Sequence, residues 1–595
     1  MTWGAVQDSQ ELRRIAALPR RRWHGPALDS LVSSMSDALR VPGASGTLRP
    51  LQAIALAELA TWGGAFVPLP VGAGKTLLMA LSPRVLPRVE RPLFLMPASL
   101  IQKTHVEFAE YRHSWVLPSL YQIKSYEEIG RVGAATFLER YAPDLIVCDE
   151  AHALKNPAAA VTKRVSRYLA DHAPVFVPMT GTPYSTTIRD FAHLVAFALP
   201  RTCPLPRRWL DLDEWARALD SDLAEHRQLE PGALEILCEH GEDHRSAFRR
   251  RLGDTPGVVL STEPQLPIPL DVTATVSPLD PPLDHAIREL RESWDTPDGE
   301  PVEDGPSMWR HARELALGFY QVWDPRAPRD WREARRAWFC DCRELLSVNR
   351  RNLDSADQLV RYMDANPGEY PAAERTLCAW REIEPTFKPR SVPVWISDHV
   401  LDWIADRARS LVADAGPVLI WTERPAAGVR LAAKIGAHYY GEGGVSTSNG
   451  QPVEAHRPGT HGPIAVLAME PNSRGRNLQA WWSRSIVLDV TKSARRLEQL
   501  IGRTHRPGQQ APRVVFDFLI GVREDVDAMH TARARAERAQ VLTGQPQKIL
   551  HANGGSERVP GLPDLLPREN VPRWDKSKPP AGRGKNILAL LSDLG

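Results

Sequence analysis

Residues 70–76 read Pro70-Val71-Gly72-Ala73-Gly74-Lys75-Thr76, and they sit between the short apolar run Ala65 to Leu69 and a stretch of helical pattern. This is the context a phosphate-binding loop requires. Glycines let backbone N–H groups come close to anionic oxygens, and the start of the following helix adds a favourable dipole. In such a loop Lys75 contacts the β- and γ-phosphates and Thr76 holds Mg2+. The strict pattern has a glycine five residues before Gly74, where this chain has Leu69. A Gly-x-Gly-Lys-Thr string by itself also describes an ordinary turn, so the neighbouring sequence has to decide.

Working outward, further short apolar runs occur at Leu93 to Met96, Leu145 to Cys148 and Val175 to Met179, with helical stretches between them. Runs this short and this apolar read as buried parallel strands of an α/β domain. The pattern stops near Pro200 and returns after Ser391, with runs at Val418 to Trp421, Ile464 to Met469, Ile486 to Val490 and Val514 to Ile520. Between them, residues 201–390 are rich in Trp, Arg and Glu, show helical periodicity and read as a mainly helical insertion. The chain of 595 residues, at about 100–200 residues per domain, divides into an N-terminal extension (1–47), a first α/β lobe (48–200), the insertion (201–390), a second α/β lobe (391–550) and a Pro-, Gly- and Lys/Arg-rich tail (551–595).

Two further strings carry chemistry. In Asp144-Leu145-Ile146-Val147-Cys148-Asp149-Glu150-Ala151-His152 an apolar strand ends in adjacent carboxylates, at the sheet edge where α/β folds bind ligands. Asp149 is placed to hold Mg2+ and Glu150 to polarise an attacking water. The alternative reading is a pair of acids capping the next helix. In Gln499-Leu500-Ile501-Gly502-Arg503-Thr504-His505-Arg506-Pro507-Gly508-Gln509, two arginines three apart share one helix face. Such a pair either neutralises a γ-phosphoryl group from across a cleft or is a solvated basic face.

Composition narrows the function classes. Lys+Arg total 74 against 72 Asp+Glu, so a nucleic-acid surface has to be a local patch. Arg greatly outnumbers Lys, which a GC-rich genome explains as readily as phosphate recognition does. No apolar run approaches the roughly 18–20 residues of a membrane span, and Met1 to Arg22 lacks the apolar segment of a signal peptide. The six cysteines form no CxxC pair, which argues against a zinc ribbon and a disulfide framework and fits a cytoplasmic setting.

Taken together, these strings resemble the motif set of superfamily 2 helicases, and in particular the Swi/Snf-like, DEAH-box-containing branch. Leu48-Arg49-Pro50-Leu51-Gln52 resembles the branch's first motif, and Pro97-Ala98-Ser99-Leu100, leading to Glu107-Phe108, resembles the motif after the second strand. Ile123-Lys124-Ser125-Tyr126-Glu127 is similar to the next, Asp149 to Asn156 to the extended acidic motif, and Met179-Thr180-Gly181-Thr182-Pro183 to the coupling motif. Ser473-Arg474-Gly475-Arg476-Asn477-Leu478 resembles the second-lobe motif that contacts nucleic acid and ATP, although it lacks the usual extra glycines. The string Gln499 to Gln509 is the closest match, and the order of motifs is preserved over about 48–520. The segment Gly318 to Pro325 also resembles compact helicases encoded by phages.

The resemblance implies two RecA-like (P-loop NTPase) lobes that hydrolyse ATP with Mg2+ and track nucleic acid, with double-stranded DNA favoured over RNA. It implies that Gln52 contacts adenine, that Gly72, Gly74, Lys75, Thr76 and Gly475 bind the nucleotide, and that Thr76 and Asp149 hold Mg2+. Lys75, Asp149, Glu150, Gln499, Arg503 and Arg506 are the expected catalytic set, and Thr180 and Thr182 the coupling pair. Ser99, Ser125, Tyr126, Thr422 and Arg474 are expected against nucleic acid, each Ser or Thr having a helix-cap reading beside it. Two other functions stay open: an RNA-acting enzyme of the same fold, and a motor or scaffold subunit of a larger DNA-processing or defence complex.

Several features have plainer readings. Cys238, His240 and His244 lack a nearby fourth metal ligand, and Cys340 and Cys342 point to different helix faces. Trp309, Trp323, Trp331 and Trp338 read as packing before base stacking, and Arg249 to Arg251 as phosphate contacts or a solvated stretch. Ile587 to Leu594 reads as a docking peptide for a protein partner or as a segment that packs back on the body.

Overall fold

Strands buried on both faces need apolar residues at every position, and that requirement shapes both sheets. The computed structural model describes residues 4–562, apart from 22, 24, 71, 182–186, 221–227, 262–265, 349–352, 354 and 474. Thr182, Arg474 and the tail segment Ile587 to Leu594 therefore lie outside the described residues. The first sheet contains β1 (Val67–Pro68), β2 (Pro92–Met96), β3 (Gln122–Ser125), β4 (Leu145–Cys148) and β5 (Val175–Thr180). Its order is β1-β5-β4-β2-β3 and every neighbouring pair is parallel. Alternate residues feed two cores. Leu93, Leu95, Ile146 and Phe176 pack on one side, and Phe94, Met96, Val147 and Val177 on the other, as a sheet covered on both faces requires.

The chain then supplies β6 (Leu270–Val276), the antiparallel pair β7 (Phe319–Trp323) and β8 (Ser391–Trp395), and β9 (Val418–Thr422), β10 (His438–Tyr440), β11 (Ile464–Ala468), β12 (Arg484–Val487) and β13 (Val514–Ile520). The second sheet runs β10-β11-β9-β12-β13-β6, again parallel throughout. It too separates two cores, with Leu419, Trp421 and Phe516 on one face and Val418, Ile420 and Val466 on the other. These are the two RecA-like lobes.

The stretch expected as one insertion, 201–390, is divided four ways. Leu212, Trp215, Phe248 and Leu252 join the first lobe's core, together with Leu12 and Ile15 from the N-terminal extension. β6 is a full strand of the second sheet, paired with β13 from Leu270↔Val514 to Val276↔Ile520. Helices Pro281–Ser293 and Gly305–Ala316 pack together in a small core with Tyr320 of β7, and helices Arg329–Val348, Ala356–Ala365 and Pro371–Ile383 form a separate unit standing on the β7–β8 pair. Its core is Trp331, Trp338, Phe339, Leu377 and Trp380, so these tryptophans pack. Trp323 also packs, edge-on to Trp331 at 5.1 Å between ring centroids.

No group of His, Cys, Asp and Glu among the described residues is arranged to hold a metal, Cys238, His240 and His244 included. Arg251 is buried and donates to the carbonyls of Leu18 and Pro19, which gives that arginine a structural role. No described helix is long and apolar enough to cross a membrane.

Candidate functional site

The loop after β1 is held from within its own lobe. Gly72 and Gly74 have φ of 91° and 79°, a region where a side chain would be strained. A Cβ on Gly74 would also fall 2.3 Å from Gln52 Nε2. Gln52 donates from Nε2 to the Gly74 carbonyl (3.1 Å) and accepts at Oε1 from Arg49 N–H (2.9 Å). Arg49 Nη1 donates to the Gly72 carbonyl at 2.6 Å. The amide expected on adenine is therefore engaged in shaping the loop. Lys75 is buried, and its ammonium donates to the carbonyls of Leu69 (2.9 Å) and Pro70 (3.3 Å). Leu69, the departure from the strict glycine pattern, directs its side chain into the lobe core and only its carbonyl toward Lys75.

Asp149 and Glu150 follow β4 directly, facing the same loop. Tyr126 Oη donates to the Asp149 carbonyl (2.7 Å), and Asp149 Oδ1 accepts from Glu150 N–H (3.0 Å). Glu150 adopts φ 53°, a left-handed conformation uncommon for a residue with a side chain. Such strain concentrates at functional sites. His152 Nδ1 lies 3.1 Å from Glu150 Oε2 and 3.4 Å from Thr180 Oγ1, which brings the acidic motif and the coupling motif together. Burial and the neighbouring Glu150 push the Asp149 carboxyl up, with Lys75 opposing. Burial also works against a charged Glu150, but His152, Lys75 and Arg503 outweigh it and hold that carboxyl below its usual range. Adjacent acids whose titrations are driven apart are the arrangement expected where one binds a cation and the other orients a nucleophile.

Arg503 and Arg506 come from the other lobe, and here the expectation of a shared helix face is corrected. The helix Ala494–Ile501 ends at its C-cap Gly502, and both arginines lie in the turns that follow. Arg503 is buried; its Nε donates to the Gln499 carbonyl (2.7 Å) and its Nη1 to the Arg476 carbonyl (3.1 Å). Burial, then the proximity of Arg506, brings its guanidinium down to about 10, while Glu150 across the interface favours its charge. Arg506 donates from Nη1 to Asn477 Oδ1 (2.5 Å), and its buried Nε has no acceptor among the described residues.

The lobes touch around this cluster. A Cβ on Gly72 would lie 3.3 Å from Pro507 Cδ, and one on Gly475 2.2 Å from Leu100 Cδ2. A glycine-shaped loop, an ammonium, two carboxylates and two guanidiniums thus converge on one interface. That donor set fits a polyphosphate accompanied by a divalent cation, with Thr76 half-buried at the loop's end.

The expected nucleic-acid contacts separate. Ser99 is exposed on the helix Ala98–Tyr111. Ser125 is buried and caps the next helix, accepting from Glu128 N–H at 2.9 Å, and Tyr126 is buried with its hydroxyl on Asp149. Thr422 is 0% exposed and donates to Asp489 Oδ2 at 2.8 Å; the same carboxylate accepts from Glu423 N–H and pairs with Arg424. Together these bonds organise the loop after β9. Lys103, Asn477 and Asp489 were given no role from the sequence, because each acts through partners distant in the chain; His152 stood in the acidic string, and its contact with Thr180 appears only in the fold.

Residues 119–240 match the SNF2-related domain family. A 58-residue stretch is 38% identical to the Transcriptional regulator ATRX homolog of Drosophila melanogaster, covering 10% of this chain and 4% of that protein. A 64-residue stretch is 34% identical to the Transcriptional regulator ATRX homolog of Caenorhabditis elegans, covering 11% and 4%. The chain therefore aligns with a small fraction of the length of these relatives. Two parallel-sheet lobes meeting at this motif cluster, together with these similarities, support a Swi/Snf-like protein of the superfamily 2 helicase type.

Proposed function

We propose that the chain is an ATP-driven motor that hydrolyses ATP between its lobes and translocates on double-stranded DNA. The observation that carries this reading is the approach of second-lobe residues to the first-lobe site: Arg503 faces Glu150, and Arg506 and Pro507 come up against Gly72 of the loop that holds Lys75. The loop amides and Lys75 would hold the β- and γ-phosphates, Thr76 and Asp149 would hold Mg2+, which would neutralise phosphate charge, and Glu150 would orient the attacking water. Arg503 and Arg506 neutralise charge that develops on the transferred group when the lobes close. ATP favours closure only so far as it gains contacts in the closed state that ADP lacks. Arg506 is suited to that role because it reaches the interface from the opposite lobe. Duplex DNA is favoured by the branch resemblance, with phosphate contacts supplying most of the hold.

The test is steady-state ATP turnover by the full chain with no nucleic acid, duplex DNA, single-stranded DNA and RNA, at two salt concentrations. Duplex DNA is expected to stimulate most, and less so as salt rises. Stimulation by RNA alone would transfer the reading to an RNA-acting enzyme, and no turnover under any condition would end the hydrolysis reading.

A further inference from the structure

We propose that Lys103 of the first lobe and Asn477 of the second form a clasp that positions Arg506 and tightens when Arg506 leaves it. This rests on the hydrolytic reading given above. Lys103 projects from the helix Ala98–Tyr111, and its Nζ donates to the Gly475 carbonyl at 2.5 Å and to Asn477 Oδ1 at 3.3 Å. The same Oδ1 accepts from Arg506 Nη1 at 2.5 Å. One amide oxygen, with two lone pairs, therefore joins a cation from each lobe. A second contact from the same helix fixes the loop: Leu100 lies where a side chain on Gly475 would have to go, and Gly475 has φ 70°. The loop 475–477 is thus seated on the first lobe although the chain assigns it to the second.

The arrangement has two settings. In one, Arg506 rests on Asn477 and on the Arg476 carbonyl (3.3 Å), and its hydrogen bonds among the described residues all leave from Nη1. When Arg506 turns to a phosphoryl oxygen, Asn477 Oδ1 is released to Lys103 alone, and the bond between the lobes shortens as the arginine engages. Glu107 at 3.7 Å from Lys103 keeps the local charge tolerable in either setting. Lys103 and Asn477 are positioning residues: they act on the reaction through Arg506 and through the distance between the lobes.

The experiment uses the full chain with K103M, K103R, N477A and N477D. Hydrogen–deuterium exchange without nucleotide is measured over 473–478, and ATP turnover is measured alongside binding of a non-hydrolysable ATP analogue. K103M is expected to speed exchange in that loop and lower kcat about 10-fold, a typical coupling between sites, with analogue binding within about 2-fold of wild type. K103R should recover most of both. N477D, which places a full negative charge between the two cations, should slow exchange yet lower kcat further than N477A, because it holds Arg506 back. Unchanged exchange in K103M, unchanged kcat in K103M, or N477D turning over faster than N477A each overturns the clasp. If the wild type shows no turnover, the hydrolytic reading fails and exchange in K103M alone decides the clasp.

Discussion

The two walls of the interlobe cleft hold their charges differently. In the first lobe, Lys75 lies on the carbonyls of Leu69 and Pro70 and the loop is braced by Arg49 and Gln52, so every support is local. In the second lobe, Arg503 and Arg506 lie on the Arg476 carbonyl and Asn477, and that loop is itself gripped by Lys103 and Leu100 from across the cleft. The first wall keeps its shape whatever the second does. The second wall is set partly by its neighbour. A preformed wall is suited to binding, and one whose supports cross the interface is suited to responding.

That contrast is tested most severely by K75A against R506A. K75A is expected to lose both nucleotide binding and turnover while the protein stays folded, with a melting temperature lowered by the loss of the donor to the Leu69 and Pro70 carbonyls. R506A should retain nucleotide binding and lose about 10³-fold or more in kcat, the usual weight of an arginine finger. If R506A hydrolyses normally, the second wall takes no part in the reaction and the contrast is false.

A smaller effect is expected from T422V. Removing the hydroxyl leaves Asp489 short of a buried donor, which costs about 1–3 kcal/mol in stability. Stimulation by nucleic acid should stay at its wild-type level. A large drop in stimulation with no loss of stability would return Thr422 to the nucleic-acid surface.

The smallest is a pH effect confined to the second wall. Glu498, behind the arginines, is raised from 4.5 to about 7 by burial, with Lys548 opposing. The folded state therefore holds a proton that the unfolded chain has released between those values, and the stability this confers falls as pH rises through the window. E498Q should flatten that slope in melting temperatures taken from pH 5 to 8. Parallel curves for the two proteins would mean that Glu498 is ionised throughout.

The sheets were readable because a strand buried on both faces leaves an uninterrupted apolar run, as at Leu145 to Cys148. β6 was missed for the converse reason. As an edge strand it alternates buried and partly exposed positions, with Asp271, Thr273 and Thr275 on the open side. The site was legible where chemistry depends on neighbours in sequence, as in the Gly72–Thr76 loop and the Asp149–Glu150 pair. It was illegible where partners are remote: Thr422 meets Asp489 across 67 positions, and Lys103 meets Gly475 across 372. The shared helix face for Arg503 and Arg506 failed on one residue, since Gly502 ends the helix before either arginine.

β6 also bears on how the molecule comes into being. Thr273 of β6 bonds to Asp517 of β13, 244 residues later. At roughly 5–20 residues per second of ribosomal synthesis, β6 waits on the order of 10–50 s for the strand it pairs with. Through that interval its backbone donors and acceptors are open to any passing strand. Asp271, Thr273 and Thr275 make it a poor template for mispairing while it waits. The second lobe closes last, from its C-terminal end, and a ribosome that stalls before Val514 leaves β6 without its partner.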